Sequence, residues 1–126
     1  NDLPGFAACL ADPLAAPDLS DFIAVREAYL AIFDEVMARE RLDGLVFPQL
    51  RAATPSAASG EVLAETSVCE INIAGLPGVT VPAGDYASGA PFGLIFIGRL
   101  WSEADLLSFA FDYESATPRR RAAVLS

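Results

Sequence analysis

From residue 20 onward, Phe22, Val25, Tyr29, Phe33 and Val36 recur at helical spacing, and Ile23, Leu30 and Met37 fill a neighbouring stripe. The periodicity predicts an amphipathic helix over residues 20–41, with Ser20 and Asp21 as its N-cap chemistry. Arg26, Glu27, Asp34, Glu35, Arg39 and Glu40 occupy the other flank and read as solvated charge. Leu42 to Phe47, turned by Asp43-Gly44 and stopped by Pro48, reads as a short buried strand entered directly from the helix. Residues 51–60 shift to Ala, Thr, Pro, Ser and Gly, the composition of a loop, and the pattern from Val62 to Ile73 predicts a second helix.

Gly75-Leu76-Pro77-Gly78 punctuates the chain before an apolar run from Val79 to Pro82, which Ala83-Gly84-Asp85 ends. The next run, Phe92 to Ile97, is apolar on both faces, so it requires cover on both and predicts a central strand. The connection over residues 85–91 is short enough for an antiparallel hairpin. Ser102-Glu103-Ala104-Asp105 resembles a capping box that opens a last, densely apolar helix, stopped by Thr117-Pro118. The arginines at 119–121 read as a solvated tail or a complement to the helix dipole. Strands covered by helices on both faces give an α/β fold, layered α/β/α around a mixed central sheet.

Composition narrows the chemistry. A net charge of −9 over 126 residues disfavours nucleic acid and anionic lipid as partners, and a hydrophobic content of 53% implies a folded core. All eight basic residues are arginine; lysine and histidine are absent. Without an imidazole or an amine, the chain by itself builds no Ser-His-Asp, Cys-His or Ser-Lys nucleophile and no His-ligated metal site. Cys9 and Cys69 have no Cys-x-x-Cys spacing and read as buried free thiols in a cytoplasmic protein, with no metal or cofactor expected. No run reaches the length of a membrane span and none has the build of a signal peptide. Asn1 in place of methionine points to a processed product or a piece of a longer protein.

Four segments in order then carry a family resemblance. Asn72-Ile73-Ala74-Gly75-Leu76-Pro77-Gly78-Val79-Thr80-Val81-Pro82 resembles the carboxyl-terminal part of the amidase signature family. Pro91-Phe92-Gly93-Leu94-Ile95-Phe96-Ile97-Gly98-Arg99 is similar to a strand of that family, Ser102 to Leu107 to the start of its last helix, and Leu42 to Pro48 to the strand after its long helix. Gln49 and Ile95 depart from the pattern, where threonine and glutamine are usual. The resemblance covers residues 20–117, leaving 1–19 as an irregular lead-in and 118–126 as a tail.

The resemblance implies hydrolysis or transfer at a carboxamide carbon by a serine, a second serine in a cis peptide and a lysine, all in an earlier part of such proteins. No catalytic residue is therefore assigned in this chain, and Ser56, Ser59 and Ser67 read as surface hydroxyls or caps. It also implies that this region supplies sheet, helices and one wall of a substrate pocket. Two residues are singled out as substrate-binding candidates. Asn72, flanked by Ile71 and Ile73, is expected to be a buried carboxamide that either bonds backbone groups at the following turn or touches substrate. Glu65, seven residues earlier, matches the position of an acid that meets the substrate ammonium group in glutamine-accepting members; alternatively it is one of several acids, with Glu61 and Glu70, on an exposed helix face. The expected partners are an amide substrate, bound only with the rest of the enzyme, and either a second copy of the chain or an amino-terminal amidase portion. The competing reading is a degenerate, non-catalytic binding or assembly module. A fragment should leave a strand edge and an apolar patch uncovered, and the uncharged run from Phe92 to Ile97 favours it.

Overall fold

The central strand organises everything around it. In the computed structural model, which describes residues 12, 14–52, 54–56, 58–62, 66 and 68–120, six elements follow in order. They are helix α1 (Ser20–Arg39), strand β1 (Leu45–Pro48), helix α2 (Cys69–Ala74), strands β2 (Gly78–Asp85) and β3 (Pro91–Ile97), and helix α3 (Glu103–Ala116). The sheet order is β1-β3-β2, with both pairings antiparallel. The α/β layering stands as expected; of the anticipated mixed sheet, the described residues contain antiparallel pairings only.

Alternation along β3 divides its side chains between two cores. Ile95 and Ile97 are buried with Phe33 and Met37 of α1 and Ile71 and Ala74 of α2, with Leu45 and Phe47 of β1 packed against them. On the opposite face Phe96 meets Tyr113 of α3 edge-on at 6.0 Å, and Leu106 and Ala110 of the same helix are buried. The register places Val46 and Val79 beside Phe96, and Val81 beside Leu94. β2 and β3 form the expected hairpin, closed by the Tyr86 N–H donating to the Ala90 carbonyl at 2.8 Å. Where Thr80 crosses Ile95, a methyl on neighbouring Gly93 would come within 2.7 Å of the Thr80 methyl, so only glycine admits this strand approach.

Several local expectations are corrected. α1 ends at Arg39 rather than residue 41, because the Leu42 N–H reaches the Met37 carbonyl at 2.9 Å and Arg41 turns left-handed at φ 55°. At its start, Ser20 and Asp21 make no cap; the Asp18 carboxylate accepts the Ser20 N–H at 3.0 Å instead. Arg26 is not a solvated charge: its Nε donates to the Ala74 carbonyl at 2.9 Å, satisfying the end of α2. The guanidinium lies over Gly75, whose left-handed φ of 71° stops that helix. Of the helix expected over residues 62–73, the described residues show the six of α2, and Thr66 forms an isolated antiparallel bridge with Leu50. The capping box at α3 is not made either, since the Ser102 hydroxyl donates to the Arg99 carbonyl at 2.7 Å. Cys69 is exposed, not buried, and Cys9 lies outside the described residues.

The outer surfaces are strongly apolar. On α1, Val25 and Ile32 are more than 60% exposed and Phe22 and Ile23 nearly half exposed. On α3, Leu107 and Phe111 are exposed to 61% and 70%. The uncharged run Phe92–Ile97 does not supply an open edge, because β3 is central; the edges are β1, itself uncharged and with Val46 exposed, and β2. No helix among the described residues is long and apolar enough to cross a membrane.

Two outcomes are expected. Met37→Ala, at a fully buried position, should lower the unfolding free energy by about 2–5 kcal/mol in urea titrations, while Val25→Ser should change it by less than about 0.5 kcal/mol. The Asp18 carboxyl is held below its ordinary pKa, first by the Ser20 backbone N–H and then by the Ser20 side chain. A lowered folded-state pKa contributes stability above the unfolded value and loses it as pH falls through the folded one. A carboxyl NMR titration should therefore place the Asp18 midpoint lower in the folded protein than in the urea-unfolded chain, and equal midpoints would count against the Ser20 hydrogen bond.

Candidate functional site

β1 ends at Pro48, and the chain then turns across the sheet rather than away from it. The Gln49 N–H donates to the Gly93 carbonyl at 3.2 Å, extending the pairing by one bond, and Leu50 bridges to Thr66. The Tyr86 hydroxyl, projected from the β2–β3 hairpin and tilted against Phe92 at 5.3 Å, lies 3.2 Å from the Leu50 carbonyl and 3.1 Å from the Ala52 carbonyl. A phenol has one proton to share between those two acceptors. The carbonyls on either side of Arg51 are thus tied to one hydroxyl from a distant part of the chain.

Beside this segment lies an open groove of about 380 Å³. Phe33, Leu45, Phe47, Ile71 and Ile97 form its apolar floor, continuous with the main core, and Tyr29, Arg51, Thr66 and Glu70 bring polar groups to it. A smaller depression of about 270 Å³, lined by Pro48, Leu50, Tyr86 and Phe92, shares Arg51. Arg51 and Glu70 both line the groove, yet among the described residues neither is ion-paired or hydrogen-bonded through its side chain. Arg51 is exposed, whereas the partly covered arginines are engaged: Arg26 by the Ala74 carbonyl, and Arg99 by the Leu42 carbonyl at 3.3 Å and Asp34 at 3.9 Å. A concavity with an apolar floor and one unpaired charge of each sign suits recognition of a small polar ligand. Among the described residues it contains no nucleophile paired with a base.

The residues singled out from the sequence fare differently. Glu65 lies outside the described residues, though its neighbour Thr66 lines the groove. Asn72 is exposed, not buried, and its side chain makes no hydrogen bond among the described residues. Helical geometry turns Ile71 and Ala74 inward and leaves Asn72 facing out. Its main chain does shape the turn, donating to the Val68 carbonyl at 3.0 Å and accepting from Gly75 N–H at 3.2 Å. Ser59 and Ser56 serve their own turn, the Ser59 hydroxyl donating to the Ser56 carbonyl at 2.8 Å, and Ser67 is outside the described residues. No group of three potential metal ligands occurs among the described residues. Arg51 and Tyr86 were not picked out from the sequence, although Arg51 is the sole charged residue between Asp43 and Glu61.

No protein-family model matches the chain. Over 95 residues it is 42% identical to a glutamyl-tRNA(Gln) amidotransferase subunit of Dinoroseobacter shibae, a match covering 67% of this chain and 18% of that protein. Among solved structures, a peptide amidase bound to the competitive inhibitor chymostatin superposes with a TM-score of 0.73 at 32% identity, over 92% of this chain and 25% of that one. A bacterial aryl acylamidase of the amidase signature enzymes aligns at 25% identity and a TM-score of 0.62, over 88% of this chain and 25% of its own. The chain thus spans about a fifth to a quarter of the length of the relatives it matches.

Tyr86→Phe, which deletes the hydroxyl and keeps the ring against Phe92, should increase the rate of trypsin cleavage after Arg51 several-fold in the native protein. An unchanged rate would mean that the hydroxyl does not hold this segment.

Proposed function

The chain belongs to the amidase signature family, and from that premise we propose that it is the carboxyl-terminal part of an amidase-type hydrolase acting on carboxamide C–N bonds. In this reading residues 20–117 contribute sheet, helices and one wall of the substrate pocket, flanked by a lead-in over 1–19 and a tail over 118–126. The serine pair and lysine lie in the preceding part of the enzyme. The observation that carries the proposal is coverage: nine-tenths of this chain superposes on one quarter of a peptide amidase, while the chain itself holds no lysine and no histidine. The apolar outer faces of α1 and α3 and the uncharged edge strand β1 support it, because such surfaces are ordinarily covered.

Within that enzyme the groove beside Arg51 forms part of the substrate wall. Glu65 is proposed to meet an ammonium group of the substrate, by its position seven residues before Asn72 and next to the groove-lining Thr66. Asn72 is proposed to contact substrate or the remainder of the enzyme through its free carboxamide. The partner of the chain is the amino-terminal amidase portion, and the setting is cytoplasmic.

The isolated chain should hydrolyse neither aliphatic nor aryl amides. Co-expressed with the upstream portion of the same reading frame, it should co-purify and restore amide hydrolysis, measured by ammonia release. Hydrolysis by the isolated chain, with contaminants excluded, would overturn the proposal, as would a joined protein that is folded and inactive on every amide.

A further inference from the structure

Resting on the amidase reading, we infer that the outer face of α3 is the docking surface for one amphipathic helix of the preceding part of the enzyme, with an apolar ridge and basic residues along both of its sides. Trp101, Leu107 and Phe111 are the anchors on this chain.

Spacing is the first ground. Leu106 and Ala110 are buried, whereas Ala104, Leu107 and Phe111, at intervals of three and four, share an outward face and are exposed. Those intervals are the ones that form ridges for packing against a second helix. Just ahead of the helix stands Trp101, 88% exposed and the sole tryptophan of the chain. Its backbone is left-handed at φ 68°, a rare conformation for a bulky residue. The turn is closed by the Ser102 N–H and hydroxyl, which reach the Arg99 carbonyl at 3.2 and 2.7 Å. An indole on a closed turn loses little freedom on association, and tryptophan is enriched among the residues that dominate binding energy.

Charge identifies the occupant. At about 100° per residue, Glu103 and Glu114 border the exposed face on one side and Asp105 and Asp112 on the other. Among the described residues none of the four is ion-paired or hydrogen-bonded through its side chain, and α3 contains no basic residue. A depression of about 470 Å³ beside Trp101 brings Asp43 to the same end as Asp105. A second copy would set acid against acid, with a net charge of −9 on each partner. A helix flanked by lysine or arginine meets complementary charge on both sides instead. This chain matches 25% of the peptide amidase, so the remainder of the enzyme is the source of that helix.

The test uses the whole chain and the upstream portion of the same reading frame, co-expressed so that wild-type and variant chains of distinguishable mass compete for capture. Trp101→Gly suits the left-handed backbone, and Leu107→Ala with Phe111→Ala keeps or raises helix propensity. Each should be captured at least about ten-fold less than the wild type. Asp112→Asn with Glu114→Gln removes acids from the end of α3 where the helix dipole disfavours them. That variant should lose about two- to five-fold in capture at low salt and little at high salt. Urea titration of each isolated variant checks that its stability matches the wild type. Undiminished capture of any of the three variants overturns the inference, as does an upstream portion that captures no chain. So does an isolated wild-type chain that sediments as a dimer and becomes a monomer in Phe111→Ala. Restored amide hydrolysis with capture independent of α3 would sink the inference and keep the amidase reading; α3-dependent capture in a complex that hydrolyses no amide would do the reverse.

Discussion

A strand that is apolar on both faces forces the arrangement of everything else. Ile95 and Ile97 require one helical layer, and Phe96 with Leu94 requires another, because neither face of β3 tolerates water. α1 and α2 supply the first cover through Phe33, Met37, Ile71 and Ala74, and α3 supplies the second through Leu106, Ala110 and Tyr113. The hairpin and the short β1 are then the two neighbours that complete the strand's hydrogen bonding.

The same strand locates the groove. β1 pairs with β3 over Leu45 to Pro48, and the register carries Leu45 and Phe47 onto the face of Ile97 and Ile95, where they become the floor. α2 borders it because Gly75 turns left-handed and Arg26 secures the Ala74 carbonyl, two local features 49 positions apart in sequence that hold one helix end. A single hydroxyl from the hairpin ties the loop that bears Arg51. The groove is thus a product of how three backbone segments meet at one end of the sheet. The exposed apolar side chains of α1 and α3 leave the outer faces of both helical layers uncovered among the described residues.

Much of this was legible along the chain. The period of α1, the centrality of β3 and the hairpin over residues 85–91 follow from spacing, because burial on one or both faces imposes a repeat of its own. Helix ends were less legible. Ser20 and Ser102 have the right chemistry to cap, yet Asp18 performs that service for one helix and the Ser102 hydroxyl turns back to Arg99. Choice among nearby hydroxyls and carboxylates depends on backbone direction, which composition does not record. Asn72 shows the same limit: its apolar neighbours implied burial, but a six-residue helix exposes it.

The sequence alone determined the α/β layering, the family, and the absence of any side-chain amine or imidazole to start amide chemistry, since each depends on residue type and order. Tertiary structure decided which charges are engaged. Arg26 was indistinguishable from its solvated neighbours until Ala74 was brought beside it, and Arg51 was one residue in a loop until Tyr86 and Thr66 closed on its flanks. Hydrogen bonds and ion pairs act over a few ångströms, and contacts between residues 34 to 48 positions apart are set by the path of the whole chain rather than by any local pattern.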